Sequence, residues 1–398
     1  MESKKIWLSI AQMGGHELQY IQDAFDKNWV APLGPNVTGF EKDLEGFLNQ
    51  KCHVVALSAG TAALHLAMVQ LGVCSSDEVI CQSFTFSASA NPIAYQCATP
   101  IFVDSEADTW NISPKLLEIA ILDRKMKTGK YPKAIIVVDL YGMPAKMDEI
   151  TTIASRYNIP IIEDAAEALG SEYKGRKCGT FGEFGVLSFN GNKMITTSGG
   201  GALVCKKTEQ AQQTVFLATQ AKENKPYYHH EKIGYNYRLS NICAGIGRGQ
   251  MEVLSQYLSR RREIHALYSE LLADVEGISV MQCRDKAFNS NYWLTCITID
   301  NTILEVTVND IRLYLDSVNI ESRLLWKPLH MQPVFDSCPA YIDGTSEELF
   351  RKGLCLPSGS ALTNEDVKKV VAELKKYIYN SKTEKSDRQT ELLSANER

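Results

Sequence analysis

Seven short apolar runs, rich in Val, Ile and Ala, recur between residues 52 and 205 of this chain, with helical patterns between them. They cover 54–57, 79–82, 100–103, 134–139, 160–163, 185–189 and 201–205. Continuous apolar runs of this length suit strands buried on both faces, and strands separated by helices run parallel. One intervening helix is predicted over 61–71, where Leu64, Ala67, Met68 and Leu71 fall at helical spacing. Another is expected over 146–157, just before Ile159. This alternation constrains the chain to an α/β fold with a mostly parallel seven-stranded sheet flanked by helices.

Beyond Leu239 the pattern changes. A long helical stretch includes 250–272, whose run Arg260-Arg261-Arg262-Glu263 reads as a solvated face. From about 285 a strand (292–300), a helix (308–317) and an extended segment (320–325) describe a smaller α+β unit. The expected division is a large α/β domain with the N-terminal segment over 1–255 and a small C-terminal α+β domain over 256–379. A disordered tail is expected over 380–398, which is polar, highly charged and nearly without aromatics.

A net charge of −5 and a pI near 5.9 argue against a nucleic-acid-binding surface, though a local basic pocket for a phosphorylated metabolite is compatible with them. The 11 cysteines are scattered, with no Cys-x-x-Cys pair and no zinc-like cluster, so free thiols in a reducing compartment and no metal site are expected. The opening Met1-Glu2-Ser3-Lys4-Lys5 leads into a mixed segment rather than an apolar signal core, and no stretch approaches the roughly 18 apolar residues of a membrane span. The expected location is the cytoplasm, with no membrane partner.

The residues able to do chemistry gather around two motifs. In Ser188-Phe189-Asn190-Gly191-Asn192-Lys193 a lysine follows a strand and precedes three glycines. A Schiff-base lysine needs a scaffold that holds its amine near a carbonyl, and the flanking hydroxyl and turn-forming residues suit a phosphate beside it. Its alternative is a surface lysine in a glycine-rich hairpin. Upstream, Glu163-Asp164-Ala165-Ala166-Glu167 places an acid at the mouth of a buried strand, where a carboxylate is costly unless paired with a cation. A pyridinium nitrogen is such a cation, and Glu167 stands one helical turn on if a helix begins there; both acids would equally serve as helix N-terminal residues. An aspartate upstream of a lysine is what pyridoxal phosphate (PLP) requires. The Gly-x-Gly-x-x-Gly spacing of a dinucleotide site is absent, which disfavours a dehydrogenase.

Three further segments carry candidates. Ser58-Ala59-Gly60-Thr61, a strand end followed by a helix start, reads either as a phosphate site or as a plain N-cap turn. Phe84 and Phe86 follow the strand ending near Gln82, so each either stacks on a planar ring or packs in the core. Gly234-Tyr235-Asn236-Tyr237-Arg238 and Glu321-Ser322-Arg323-Leu324-Leu325-Trp326-Lys327-Pro328-Leu329-His330 supply cations, amides and aromatics suited to a nucleotide diphosphate.

With Gly60-Thr61, Thr85-Phe86, Glu163-Asp164-Ala165-Ala166, Ser188-x-Asn190-x-x-Lys193 and Gly234-x-Asn236-Tyr237-Arg238 in this order, the chain resembles the DegT/StrS-type sugar aminotransferases from about residue 6 to 375. These are fold-type I PLP enzymes acting on nucleotide-linked keto-sugars. Asn28-Trp29-Val30-Ala31-Pro32-Leu33-Gly34-Pro35 and Leu325-Trp326-Lys327-Pro328-Leu329-His330 resemble the branch that makes UDP-N-acetylbacillosamine precursors. The resemblance implies Lys193 as the Schiff-base lysine and Asp164 as the pyridinium partner. It implies Phe86 stacked on the ring, and Gly60, Thr61 and Ser188 on the phosphate, with Glu167 and Asn190 also at the cofactor. Asn236 would reach the phosphate of the neighbouring subunit's cofactor, making a homodimer with shared sites. Leu33, Gly34, Arg238, Arg323, Lys327 and His330 are the candidates for the sugar nucleotide.

The implied reaction moves the amine of L-glutamate to C4 of a UDP-linked 4-keto-6-deoxy-N-acetylhexosamine, through pyridoxamine phosphate. Alternatives are amination at C3, a differently activated nucleotide sugar, or a PLP-binding regulator without turnover.

Overall fold

The computed structural model describes residues 4–283 and 285–396, with side chains as far as Asn380. Two helices, α1 (Glu17–Asp26) and α2 (Pro35–Leu48), precede the first strand, β1 (His53–Leu57). Helix α2 begins at a crossing with a distant part of the chain. Asn241 Oδ1 accepts the N–H groups of Asn36 at 2.9 Å and Val37 at 3.3 Å, so a residue from another helix caps this N-terminus. Gly34 has φ +145°, and a Cβ there would lie 2.5 Å from that same oxygen. Only glycine fits.

Helix α3 (Gly60–Gln70) follows β1, and then come β2 (Glu78–Gln82), β3 (Thr99–Val103), α4 (Pro114–Thr128), β4 (Ala134–Val138), α5 (Met147–Arg156), β5 (Ile161–Asp164), β6 (Phe184–Ser188), β7 (Gly201–Cys205) and α6 (Thr208–Ala218). All seven expected strands form, within two residues of the expected bounds. Pairing runs parallel from β6 through β5, β4 and β2 to β3, while β7 lies antiparallel between β1 and β6.

The pleat sends alternate residues to opposite faces, and both faces are apolar because both are covered. Val79, Cys81, Ile136, Val138 and Ile162 pack with Leu64, Ala67 and Met68 of α3. Ile80, Ile101, Ile135, Val137 and Ile161 pack on the other side with Leu117 and Ile121 of α4 and Ile150 of α5.

Helix α7 (Asn241–Leu272) crosses from this body to the C-terminal part, so the expected division at 255/256 falls inside one helix. Arg261 on α7 is buried at 1% exposure, which corrects the reading of the arginine run as a solvated face. Arg261 lies three and four residues from the buried Tyr257, Leu258, Ile264 and His265, so it shares their inward face.

Strands β8 (Ile278–Val280) and β9 (Thr295–Ile299), helix α8 (Val308–Ser317), and strands β10 (Arg323–Leu324), β11 (Ala340–Tyr341) and β12 (Gly353–Leu356) follow. β8, β9, β12 and β10 form an antiparallel sheet in that order. Its core of Ile297, Ile299, Leu354 and Leu356 packs on α8 and on Val367, Val370 and Leu374 of α9 (Asn364–Asn396).

β11 leaves this unit and pairs parallel with β3, making the large sheet eight-stranded rather than seven-stranded. A two-residue strand separated from the others by sequence gives no periodic signal. The backbone of 380–396 continues helix α9 where a disordered tail is expected, with the side chains of 381–396 and all of 397–398 outside the described residues. Among the described residues no helix is long and apolar enough to cross a membrane.

Candidate active site

The C-terminal ends of β5 and β6 and the start of α3 open onto one cavity of ≈ 400 Å³. Open α/β sheets bind ligands at such ends.

The walls follow from the local fold. Ser58, Gly60, Thr61 and Ser188 line one end, and α3 begins there without a side-chain cap. Its free N–H groups and positive dipole end therefore face the cavity, which suits a phosphate. A Cβ on Gly60 would sit 3.2 Å from Ser188 Cβ and 3.4 Å from Leu187 O, so glycine keeps this end open.

Glu163 and Asp164 are neighbours in β5, and the pleat separates them. Glu163 turns away and accepts the N–H groups of Gly179 at 2.7 Å and Phe181 at 2.6 Å. Asp164 faces the cavity at 4% exposure, with Oδ2 accepting from Ser89 Oγ at 2.7 Å and Oδ1 from Ala166 N at 3.2 Å. Burial pushes its carboxyl above the usual range, while the Ser89 hydroxyl, the Ala166 N–H and the charge of Lys193 pull the other way. A buried carboxylate aimed into a cavity calls for a cation there, and a pyridinium N–H is one.

Lys193 Nζ stands 3.5 Å from Glu167 Oε1 and 4.1 Å from the centre of the Trp293 ring. Glu167 sits among turns rather than on the helix that the sequence suggested, yet it faces the cavity. Burial raises its pKa against the pull of Lys193, and its Oε2 accepts the Tyr141 N–H at 2.7 Å. That N–H is aimed by a left-handed backbone, φ 53° at Tyr141. The Tyr141 ring lies between Trp293 and Trp326, at 6.4 Å and 6.2 Å between centroids and tilted by 16° and 10°.

Phe84 is fully buried in the core, whereas Phe86 lines the cavity at 51% exposure and lies 5.1 Å from Trp326. The open choice between the two phenylalanines thus falls to Phe86 as the ring facing a ligand. The residues present fit PLP: an uncapped helix start, a buried carboxylate, an aromatic ring and an amine share one space.

Nine of the expected site residues line this cavity: Gly60, Thr61, Phe86, Asp164, Glu167, Ser188, Asn190, Lys193 and Arg323. Six stand elsewhere. Arg238 Nη1 is held by Glu41 Oε1 at 2.8 Å and Ala56 O at 3.1 Å. His330 is held by Ser83 Oγ at 2.6 Å and Glu347 Oε1 at 3.0 Å. Gly34 serves the crossing with Asn241, Leu33 is exposed at 56%, Asn236 is exposed, and Lys327 is half-buried away from the cavity. Sequence reasoning missed Trp293, Tyr141 and Ser89. Trp293 opens a strand-like run, and an aromatic at that position was the only signal available.

The fold and site together define a PLP-dependent sugar aminotransferase. The sequence pattern of the DegT/DnrJ/EryC1/StrS aminotransferase family matches residues 11–375, and the chain belongs to that family. It is 49% identical over 375 residues to EpsN of Bacillus subtilis (strain 168), provisionally named a pyridoxal phosphate-dependent aminotransferase, covering 93% of this chain and 95% of that one. It is 36% identical over 353 residues to a GDP-perosamine synthase of Escherichia coli O157:H7, covering 89% and 93%. A crystal structure of a DegT DnrJ EryC1 StrS aminotransferase from Brucella abortus superposes with a TM-score of 0.84 at 30% identity, covering 91% of this chain and 95% of that one. The cofactor is PLP.

Proposed function

We propose that this protein transfers the amino group of L-glutamate to C4 of a UDP-linked 4-keto-6-deoxy-N-acetylhexosamine, giving a UDP-4-amino sugar. The observation that carries the aminotransferase reading is the meeting of Lys193, Asp164 and the uncapped start of α3 in one cavity. Bound PLP supplies an electron sink for negative charge developing at the donor's Cα.

The chain's own groups do the rest. Asp164 would pair with the ring nitrogen and favour its protonated form, Ser58, Thr61 and Ser188 would hold the phosphate, and Phe86 would cover the ring. Lys193 Nζ is the amine that would carry the cofactor and, when free, would serve as the base and acid for the substrate proton. Glu167 keeps the amine on the cavity side. Arg323 lines the cavity with its side chain 62% exposed, and in this reading it would meet the phosphate-bearing substrate.

In this proposal the active unit is a cytoplasmic homodimer. Asn236, exposed on its own chain, would reach the partner's cofactor phosphate.

The UDP sugar is supported by the resemblance at 28–35 and 325–330. The name of the E. coli relative favours a second reading, in which the sugar is activated by GDP. Purified protein incubated with L-glutamate and, separately, UDP- and GDP-linked 4-keto sugars tests both, with products assigned by NMR. A 4-amino product from the UDP substrate supports the proposal. Turnover of the GDP substrate alone, or amination at C3, overturns it.

A further inference from the structure

Lys193 is gripped by parts of the chain that lie outside the cofactor motifs. The peptide that joins it to Asn192 is held on both sides: Lys193 N–H donates to Asn190 O at 2.9 Å, while Asn192 O accepts two donors. One donor is the Trp293 indole N–H at 2.7 Å, the other the Ser9 hydroxyl at 3.0 Å. The same indole presents its face to the amine, with Nζ 4.1 Å from the ring centre.

Trp293 is itself fixed. Arg261 Nη1 donates to Trp293 O and, at 3.2 Å, to Ser358 O, and its Nη2 donates to Ser9 Oγ at 3.0 Å. A guanidinium buried at 1% exposure and spent on backbone and hydroxyl oxygens gives up hydration in order to organise its neighbours.

We propose that Trp293 is a positioning residue for Lys193, holding the ammonium with its ring face and the preceding carbonyl with its N–H, with Ser9 and Arg261 completing the clamp. An aromatic face attracts an ammonium and releases it without a bond to break. When Lys193 is free, the ring face and Glu167 together hold its amine within the cavity. The N-terminal segment takes part in the clamp through Ser9. The proposal rests on Lys193 being the amine that carries the cofactor.

Two measurements test it. In cofactor-free protein, acylation of Lys193 by acetic anhydride is read by mass spectrometry against the other lysines. Trp293→Leu removes the face and should raise Lys193 labelling on the order of tenfold, whereas Trp293→Phe keeps the face and should leave it near wild type. In the loaded enzyme, Trp293→Phe and Ser9→Ala each remove one hydrogen bond from Asn192 O. Each should lower the maximal rate of the glutamate half-reaction about fivefold with KM unchanged.

A purely structural Trp293 would lower the melting temperature while leaving Lys193 labelling and the rate per folded site at wild-type values, and that result overturns the proposal. If Trp293→Leu does not fold, wild-type maximal rates in both Trp293→Phe and Ser9→Ala overturn it instead. Covalent attachment of PLP to a Lys193→Ala chain would remove the underlying reading of Lys193, an outcome separate from either.

Discussion

Ser89 Oγ donates to Asp164 Oδ2 at 2.7 Å, and both side chains are buried at the floor of the cavity. This bond favours the ionised carboxylate against the burial that opposes it. Since the ionised form is the one able to pair with a pyridinium, Ser89→Ala should move the acidic limb of the pH–rate profile to higher pH. Asp164→Asn should cut the rate on the order of a hundredfold or more while leaving the fold intact. Steady-state rates across pH, set beside thermal unfolding, check both. A variant that unfolds while its folded fraction stays fully active would make Asp164 structural.

Arg323 and Arg238 should separate cleanly. Arg238 and Glu41 are 11% and 18% exposed and lie 2.8 Å apart, so Arg238→Ala leaves a half-buried carboxylate held only by the Ala56 N–H at 2.9 Å. It should cost about 2 kcal/mol of stability. Arg323 is 62% exposed and paired with Glu321 at 2.9 Å, so Arg323→Ala should change stability by less than about 0.5 kcal/mol. Its effect should be a rise in the KM for the sugar nucleotide on the order of tenfold, with the glutamate half-reaction spared. Equal loss in both half-reactions would assign Arg323 to the donor's carboxylates or to architecture.

Mixing inactive Lys193→Ala chains with inactive Asn236→Asp chains tests whether sites are shared. If they are, each heterodimer contains one site with both wild-type residues. Activity should then return to as much as about a quarter of wild type after random exchange. Demonstrated exchange with no recovery would place both residues in one chain's site.

His265 offers a pH test remote from catalysis. Its ring stacks on Tyr292 at 3.5 Å, its Nε2 lies 2.9 Å from Met281 O, and burial lowers its pKa to about 4. The carbonyl fixes a proton on Nε2, and burial disfavours a second proton on Nδ1, so the folded ring stays neutral down to about pH 4. Between pH 6.5 and 4 the unfolded chain binds a proton that the folded chain refuses, so stability falls as pH falls through that window. The loss should reach about 3 kcal/mol, and His265→Gln should flatten it in chemical denaturation across pH.

Much of this was legible in the chain because it depends on short stretches. The strands are apolar runs, and Lys193 and Asp164 stand where those runs end. What stayed hidden depends on distant partners. Arg238 reads as a candidate for the sugar nucleotide, and its pairing with Glu41 on α2 leaves no mark in the sequence around it. Arg261 reads as solvated from its charge alone, although its spacing from Leu258 and Ile264 puts it on the buried face of α7. Trp293 lies a hundred residues beyond the lysine and reaches it through the packing of the C-terminal part onto the sheet, while Tyr141, in the turn after β4, meets Glu167 only once β4 and β5 are side by side. The Glu163–Asp164 pair was readable as an acidic strand end, but the pleat had to say which acid faces the cavity.

The pairing of β3 with β11 carries a consequence for biosynthesis. Residues 99–103 leave the ribosome long before residues 340–341, and until then one border of the large sheet has unsatisfied N–H and C=O groups. Ile6 likewise waits for Ile320, its partner in an isolated bridge. The nascent chain therefore holds an incomplete sheet that invites pairing with a neighbouring chain, and shortening the gene to the cofactor motifs alone would make that state permanent.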